Sequence, residues 1–460
     1  MVEVRDQRRQ LTLDTDVLVV GGGAAGVAAA FTAAKGGARV LLLEKYGFCG
    51  GAAVAGLSGT VCGLYAATEG AAKPPEQVVF GFADRFIHVM KEKGGITEPQ
   101  RYGNTYTLTH DPLVWREAGD YFLGDAGVQV LFHTTVIDVL TEGEQVRGVL
   151  AWTKQGRAEI RAKLTIDASG DADVAALGGF ETFMGQDGKV QNPTMIFRLM
   201  GVDVTRLRAR YGEDTIMGDE VSQMIRNLHN SKEYDLPRSK IFLFSTPRPN
   251  ELLCNCTRII GRDGRELNPM LVEDITEAEI AGRKQVREYA KFFKDRLVGC
   301  EESFVNDTGV QVGVRQTRQI RGVATLSNDD VVAGAKSKDS IARSAWPIEL
   351  HSGEKPQLKW LLDDYYDISY QSFLPVAGEG FLVAGRCLSA EHEAMASARV
   401  TAQCFSYGQA IGMAVAISLR DELSPRKLFR WTHGTTVASK ASLRSISDRC
   451  LGTKHLRRWC

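Results

Sequence analysis

No stretch of this 460-residue chain stays apolar for the roughly 20 residues that a bilayer-spanning helix needs, so no membrane span is expected. Excess charge is also lacking: 56 Lys and Arg face 56 Asp and Glu. A chain with no net field gives no reason to expect nucleic acid or an anionic membrane as partner. The first fifteen residues, MVEVRDQRRQLTLDT, have no apolar core, which argues against a secretory leader. Paired cysteines are missing too. The nine cysteines are an odd number and read as reduced thiols of a cytoplasmic protein. Cys49 and Cys62 stand thirteen apart, and Cys254 and Cys256 have no second pair at zinc-finger spacing. Redox-active disulfide chemistry and metal ligation are therefore set aside. No internal repeat is present.

What the chain does carry is a strand, a glycine turn, a helix and a strand between residues 15 and 45. TDVLVV is a buried strand, and GGGAAG turns the chain. VAAAFTAAKGG is a small-residue helix closed by Gly36 and Gly37, and ARVLLLEK is the next strand. This is a βαβ unit with a parallel sheet. Gly21-x-Gly23-x-x-Gly26 falls at the strand–helix junction, where a dinucleotide fingerprint must lie. Gly21 makes the tight turn, Gly23 admits a pyrophosphate, and Gly26 lets helix and strand pack. Ala24, Ala25 and the helix N-terminus then meet the phosphates. Glu44, 18 residues past Gly26, ends the second strand next to Lys45 and is placed to accept from a ribose diol.

The turn alone does not separate FAD from NAD, but longer stretches do. GGGAAGVAAAFTAAKGGARVLLLEK with FCGGAAVAGLSG, AKLTIDASGDADVAALGG, TEAEIAGRKQVREYAKFF, GVRQTRQIRGVATLSNDDV and FLVAGRCLSAEHEAMASARVTAQCFSYGQAIGMAVA occur in this order from about residue 15 to 420. In these the chain resembles the FAD-dependent oxidoreductase family allied to the flavoprotein subunits of fumarate reductase and succinate dehydrogenase. The resemblance implies an α/β fold: a Rossmann-like FAD-binding domain of glutathione-reductase-type topology, with an inserted α+β substrate domain. The domain boundaries expected are 1–187 with 308–424 for FAD, and 188–307 for substrate. A basic, weakly ordered tail is expected over 425–460, because nine Lys or Arg stand against three Asp or Glu from Asp421 onward.

By the same resemblance Gly21, Gly23, Gly26 and Glu44 bind the ADP half, while Gly50 and Gly51 line the ribityl and ring. Ala168, Ser169, Gly170 and Asp171 form a second contacting turn, and Val136 meets the adenine. Gly385 and Arg386 end a later strand, where Arg386 replaces the acid that many flavoproteins place on the ribitol. Gly408, Gln409, Ala410, Ile411 and Gly412 open a helix whose positive end faces the flavin.

His392 is the first choice for proton handling, against a structural histidine bonded to backbone. Arg315 and Arg318, three apart, share a face if helical and either hold a substrate carboxylate or tie the domains together. Asn255 and Arg258 are weaker substrate-side candidates. Thr276 and Glu279 read as a capping box ahead of a helix with Ile280, Val286, Tyr289, Ala290, Phe293 and Leu297 on its apolar side. The expected function is hydride transfer between flavin and a small organic substrate such as a hydroxy or carboxylic acid, with an unidentified electron acceptor or donor. An NAD-linked dehydrogenase and a flavin-bound, non-catalytic binding protein are the alternatives.

Overall fold

A computed structural model describes residues 11–351 and 356–430. Its central sheet has the parallel order Gln129–Leu131, Val40–Leu43, Leu11–Val20, Gly156–Asp167, with Phe381–Val383 joining the far end of Gly156–Asp167. The strands Val17–Val20 and Val40–Leu43 are buried on both faces, as unbroken aliphatic runs in a parallel sheet should be. The near half of Gly156–Asp167 continues antiparallel into Gln145–Thr153 and Thr135–Glu142. This is a mixed α/β, Rossmann-like architecture.

The helix Ala24–Lys35 follows the first strand directly. Its alanines favour the helix and keep its surface flat. The long helix Thr401–Arg420 lies against that flat side. A Cβ on Gly408 would sit 2.1 Å from the Ala25 carbonyl oxygen, and one on Gly412 would sit 2.4 Å from that of Ala29. Gly408 and Gly412 therefore belong to the middle of this helix and permit close helix packing. They do not open a helix, contrary to the reading of the sequence; the N-terminus is Thr401.

Under these two helices lies an aromatic cluster. Phe86 packs 4.6 Å from Trp115 and 4.8 Å from Phe405 between ring centroids. Each such buried ring contributes about 1.5–3 kcal/mol. Phe86 comes from the helix Phe82–Glu92. Its buried Phe82, Ala83, Phe86, Ile87 and Met90 do follow a helical period. Asp111 caps the neighbouring helix Pro112–Asp125, accepting from the Leu113 amide at 2.7 Å.

A second core surrounds the antiparallel sheet Phe242–Ser245, Glu251–Asn255, Phe197–Met200, Phe304–Thr308. The helix Val272–Arg296 covers it with Val286, Tyr289, Phe292 and Phe293. That helix begins before Thr276, so the expected capping box is not one. Thr276 donates to the Val272 carbonyl, and Glu279 instead accepts from the Val312 amide at 2.7 Å. Ile280 is exposed.

Residues Pro425–Arg430 form a further helix, which corrects the start of the expected tail. Leu428 is buried, and Arg426 donates to the carbonyls of Pro375 and Gly378. The remaining tail residues lie outside the described ones. Among the described residues no helix is long and apolar enough to cross a membrane.

Candidate active site

One cavity of about 350 Å³ runs between the carboxyl ends of the parallel strands and the second core. Its outer end is the first strand–helix turn. Gly21 has φ +100, which suits glycine, and a Cβ there would sit 2.4 Å from the Ala168 carbonyl oxygen. Gly26 lies behind the turn, where a Cβ would come 1.8 Å from the Gly21 oxygen. Gly21, Gly23, Ala24 and Ala25 face the cavity, and no side chain caps the helix they begin. Unfilled amides at a helix N-terminus form a site for a phosphate.

Glu44 closes the same end. One carboxylate oxygen accepts from the Gly22 amide at 2.8 Å and the other from the Tyr46 amide at 2.9 Å. Burial pushes its pKa up. Lys45, Gly50 and Gly51 continue the wall. Opposite stand Ala168, Ser169, Gly170 and Asp171, a turn fixed by the buried Asp167, which accepts from Ser169 Oγ at 2.6 Å and from the Val174 amide at 2.9 Å. Gly385 and Arg386 complete this region. Arg386 donates to the Gly170 carbonyl and to Asp171, each at 2.8 Å, and to the Val314 carbonyl. It thus joins three segments of the wall.

Val136 is not on the wall. It follows the bend at His133 and Thr134, whose amides bond the Tyr46 and Glu44 carbonyls. Gln409 points elsewhere, accepting from the Phe82 amide at 2.8 Å, while Ala410 is fully buried and Gly412 lies in the helix contact. The helix N-terminus that does reach the cavity is Val400–Thr401, seven residues before Gly408.

The inner end holds the groups with acid–base and charge chemistry: Tyr102, Arg315, Glu349, His351 and Arg399. One oxygen of Glu349 accepts from the Tyr102 hydroxyl at 2.8 Å and lies 3.1 Å from His351 Nε2. Burial raises the Glu349 carboxyl, but hydrogen bonds from His351 and the Tyr102 hydroxyl and the charge of Arg399 outweigh it and hold the pKa below the ordinary carboxylate value. Burial, with the charge of Arg315, drives the His351 imidazole well below its ordinary value. Glu349 is thus ionised and His351 neutral at pH 7. Because the carboxylate only accepts, the His351 proton sits on Nε2 and Nδ1 keeps its lone pair.

Arg315 donates to the Asn192 carbonyl at 2.5 Å, and Arg399 donates to Gln191 at 3.3 Å. Neither guanidinium has a carboxylate partner among the described residues, although both are buried with Glu349 nearby. Such cations call for an anion.

Two sequence candidates fall outside this cluster. Residues 315–317 are not helical, and Arg318 begins the strand Arg318–Ile320. Three residues along an extended chain reverse the side chain, so Arg315 faces the cavity while Arg318 pairs with Asp173. His392 starts a short helix off the cavity wall, with Nδ1 buried and unpartnered. Asn255 lines the main cavity, and Arg258 lines a small one beside it. Cys62 also faces the main cavity, but burial pushes its thiol up to about 12, so it is no ready nucleophile. Among the described residues no group of His, Cys, Asp and Glu is arranged to hold a metal ion.

Comparison with known proteins places this cavity in context. Residues 16–437 match the model of a family described as FAD-dependent oxidoreductase. Among curated proteins, a urocanate reductase from Eggerthella lenta is 63% identical over 41 residues, 9% of this chain and 7% of that protein. A thiamine thiazole synthase from Aeropyrum pernix is 30% identical over 169 residues, 34% of this chain and 55% of that one. The chain therefore matches well under two thirds of either relative. A solved geranylgeranyl bacteriochlorophyll reductase-like protein from Thermoplasma acidophilum aligns with 96% of this chain and 85% of its own, with TM-score 0.51 and 13% identity. That likeness concerns the fold.

Proposed function

The chain belongs to the FAD-dependent oxidoreductase family and takes FAD as its cofactor, and from this premise we propose that it exchanges hydride between the flavin and a small carboxylate. The observation that carries the proposal is one continuous cavity with phosphate-type amides at one end and, at the other, buried arginines that no carboxylate among the described residues bonds directly. A Cβ on Gly23 would meet nothing nearer than the Gly51 Cα at 3.8 Å, which leaves room for the pyrophosphate, and Glu44 fits the ribose. When bound, FAD supplies the hydride-accepting and hydride-donating centre.

The chain's own residues do the rest. Arg315 and Arg399 hold the substrate carboxylate and orient it. His351 Nδ1 takes the substrate proton as hydride leaves, or returns it in the opposite direction. Glu349 accepts the Nε2 proton, which fixes the imidazole's tautomer and stabilises its protonated form; Tyr102 steadies Glu349. The positive N-terminus of the helix at Thr401 favours negative charge at this end. The kinship with fumarate reductase and succinate dehydrogenase flavoproteins belongs to the same proposal. The short match to a protein named as a urocanate reductase supports it.

The test is an anaerobic screen of small acids, with neutral alcohols and amides as controls. Carboxylates are expected to bleach the oxidised flavin or reoxidise the reduced one. Replacing Arg315 by Met should raise the concentration needed by about 100-fold, as loss of a charge-assisted contact of ~2–3 kcal/mol requires. Turnover confined to neutral substrates, or an unchanged Arg315→Met variant, would refute the assignment.

A further inference from the structure

Behind the inner end of the main cavity lies a second, separate hole of about 10 Å³. Such a volume holds one water-sized body, about 10–15 Å³, and excludes a carboxylate group. Its wall includes Arg238, Arg258, Arg315, His351, Asn192 and Thr257, with no carboxylate among the described residues. Arg315 and His351 are shared with the main cavity, whereas Arg238 and Arg258 are not.

The lining is rich in donors left over. Arg238 is only 3% exposed, and its Nη2 has no partner. Its Nε and Nη1 are taken by the Lys240 carbonyl at 2.9 Å and by Asn255 Oδ1 at 3.1 Å, both neutral acceptors. Arg258 Nε is buried without a partner as well. Thr257 Oγ1 is engaged with Thr194 and Met195. Among the described residues the lining side chains have two free acceptors, His351 Nδ1, which the proposed reaction turns to the substrate, and the amide oxygen Asn192 Oδ1. Turning that amide over presents Nδ2 instead, and forfeits only a 3.5 Å contact to the His351 carbonyl. Water needs acceptors as well as donors; a monatomic anion needs donors alone.

We propose that the hole beside Arg238, Arg258 and Arg315 is a binding site for a single halide ion, chloride in the cell. The ion offsets guanidinium charge that no carboxylate among the described residues bonds directly, and it leaves the face of Arg315 in the main cavity to the substrate. Which acid the flavin acts on does not enter this argument, so the site stands or falls separately from the proposed reaction.

The experiment uses the FAD-loaded full chain. Crystals grown in bromide are expected to show one anomalous scatterer in the hole. In solution, potassium chloride should raise the thermal midpoint where potassium gluconate at equal ionic strength does not. Arg258→Gln, which leaves the main cavity intact, should keep its FAD and need roughly tenfold more chloride for the same shift. A water in the hole with no bromide, or formate seated there in place of bromide, would overturn the proposal. So would equal responses to chloride and gluconate, or a chloride response unaltered in Arg258→Gln.

Discussion

Replacing Gly21 by valine is expected to weaken FAD binding by 100-fold or more, about 2.7 kcal/mol. Two costs combine at this position. The backbone has φ +100, which a β-branched residue tolerates poorly. A side chain would also drive its Cβ to 2.4 Å from the Ala168 carbonyl oxygen, and a backbone atom has no rotamer by which to retreat. Relief requires the turn to part from Ala168–Asp171, the two walls between which the proposed site would hold the pyrophosphate. Gly37 provides the control. Its φ is +97, yet nothing lies within 4 Å of the position its Cβ would take. Gly37→Ala should therefore cost about 1 kcal/mol of stability and leave FAD affinity unchanged. The flavin-to-protein absorbance ratio and reconstitution of the apoprotein measure both. Wild-type FAD affinity in Gly21→Val would show that the turn does not hold the cofactor.

The second large effect concerns His351. His351→Gln is expected to lower turnover by about 10²–10⁴-fold, the usual worth of a positioned acid–base group, with FAD content unchanged. His392→Ala should stay within about twofold, since that ring lies off the cavity wall. The pH profile separates the base from a merely structural imidazole. Burial and the neighbouring arginines depress the His351 pKa, so the base stays deprotonated at neutral pH. The acid limb of kcat/KM should then fall below about 6.5, the ordinary imidazole value. Glu349→Gln removes the carboxylate that stabilises the protonated ring and should move that limb further toward acid. Stability has the same sign: the unfolded imidazole binds its proton more readily, so stability falls as the pH drops below about 6.5. Full activity in His351→Gln, or an acid limb above 6.5, would remove His351 from the proton step.

The contrast between the two histidines shows what the sequence could reveal. The outer end of the cavity was legible because it is local: the Gly21–Gly26 turn and Glu44 lie within one βαβ unit, and their spacing follows from its geometry. The inner end was not. Tyr102, Arg315, the Glu349–His351 pair and Arg399 come from four separate segments that the fold brings together, and only Glu349 and His351, two apart on one stretch of chain, are linked by spacing. His392 drew attention by standing just after the Phe381–Val383 strand, but the helix it begins carries it away from the cavity. Gly408 and Gly412 were misread for a related reason. A cluster of glycines suggests the opening of a helix, whereas here they are a packing surface whose partner lies nearly 400 residues earlier, at Ala25 and Ala29. The helix Phe82–Glu92 is a different matter, because its buried positions do repeat with helical period within the segment itself.

The most direct test of the central claim is the position of FAD in a crystal structure of the loaded protein. The account predicts the adenine ribose at Glu44, the pyrophosphate over the amides of Gly23–Ala25, and the ring system reaching the chamber of Arg315, His351 and Arg399. A flavin ring that lies away from those three side chains, or a dinucleotide running in the opposite sense along the cavity, would contradict it.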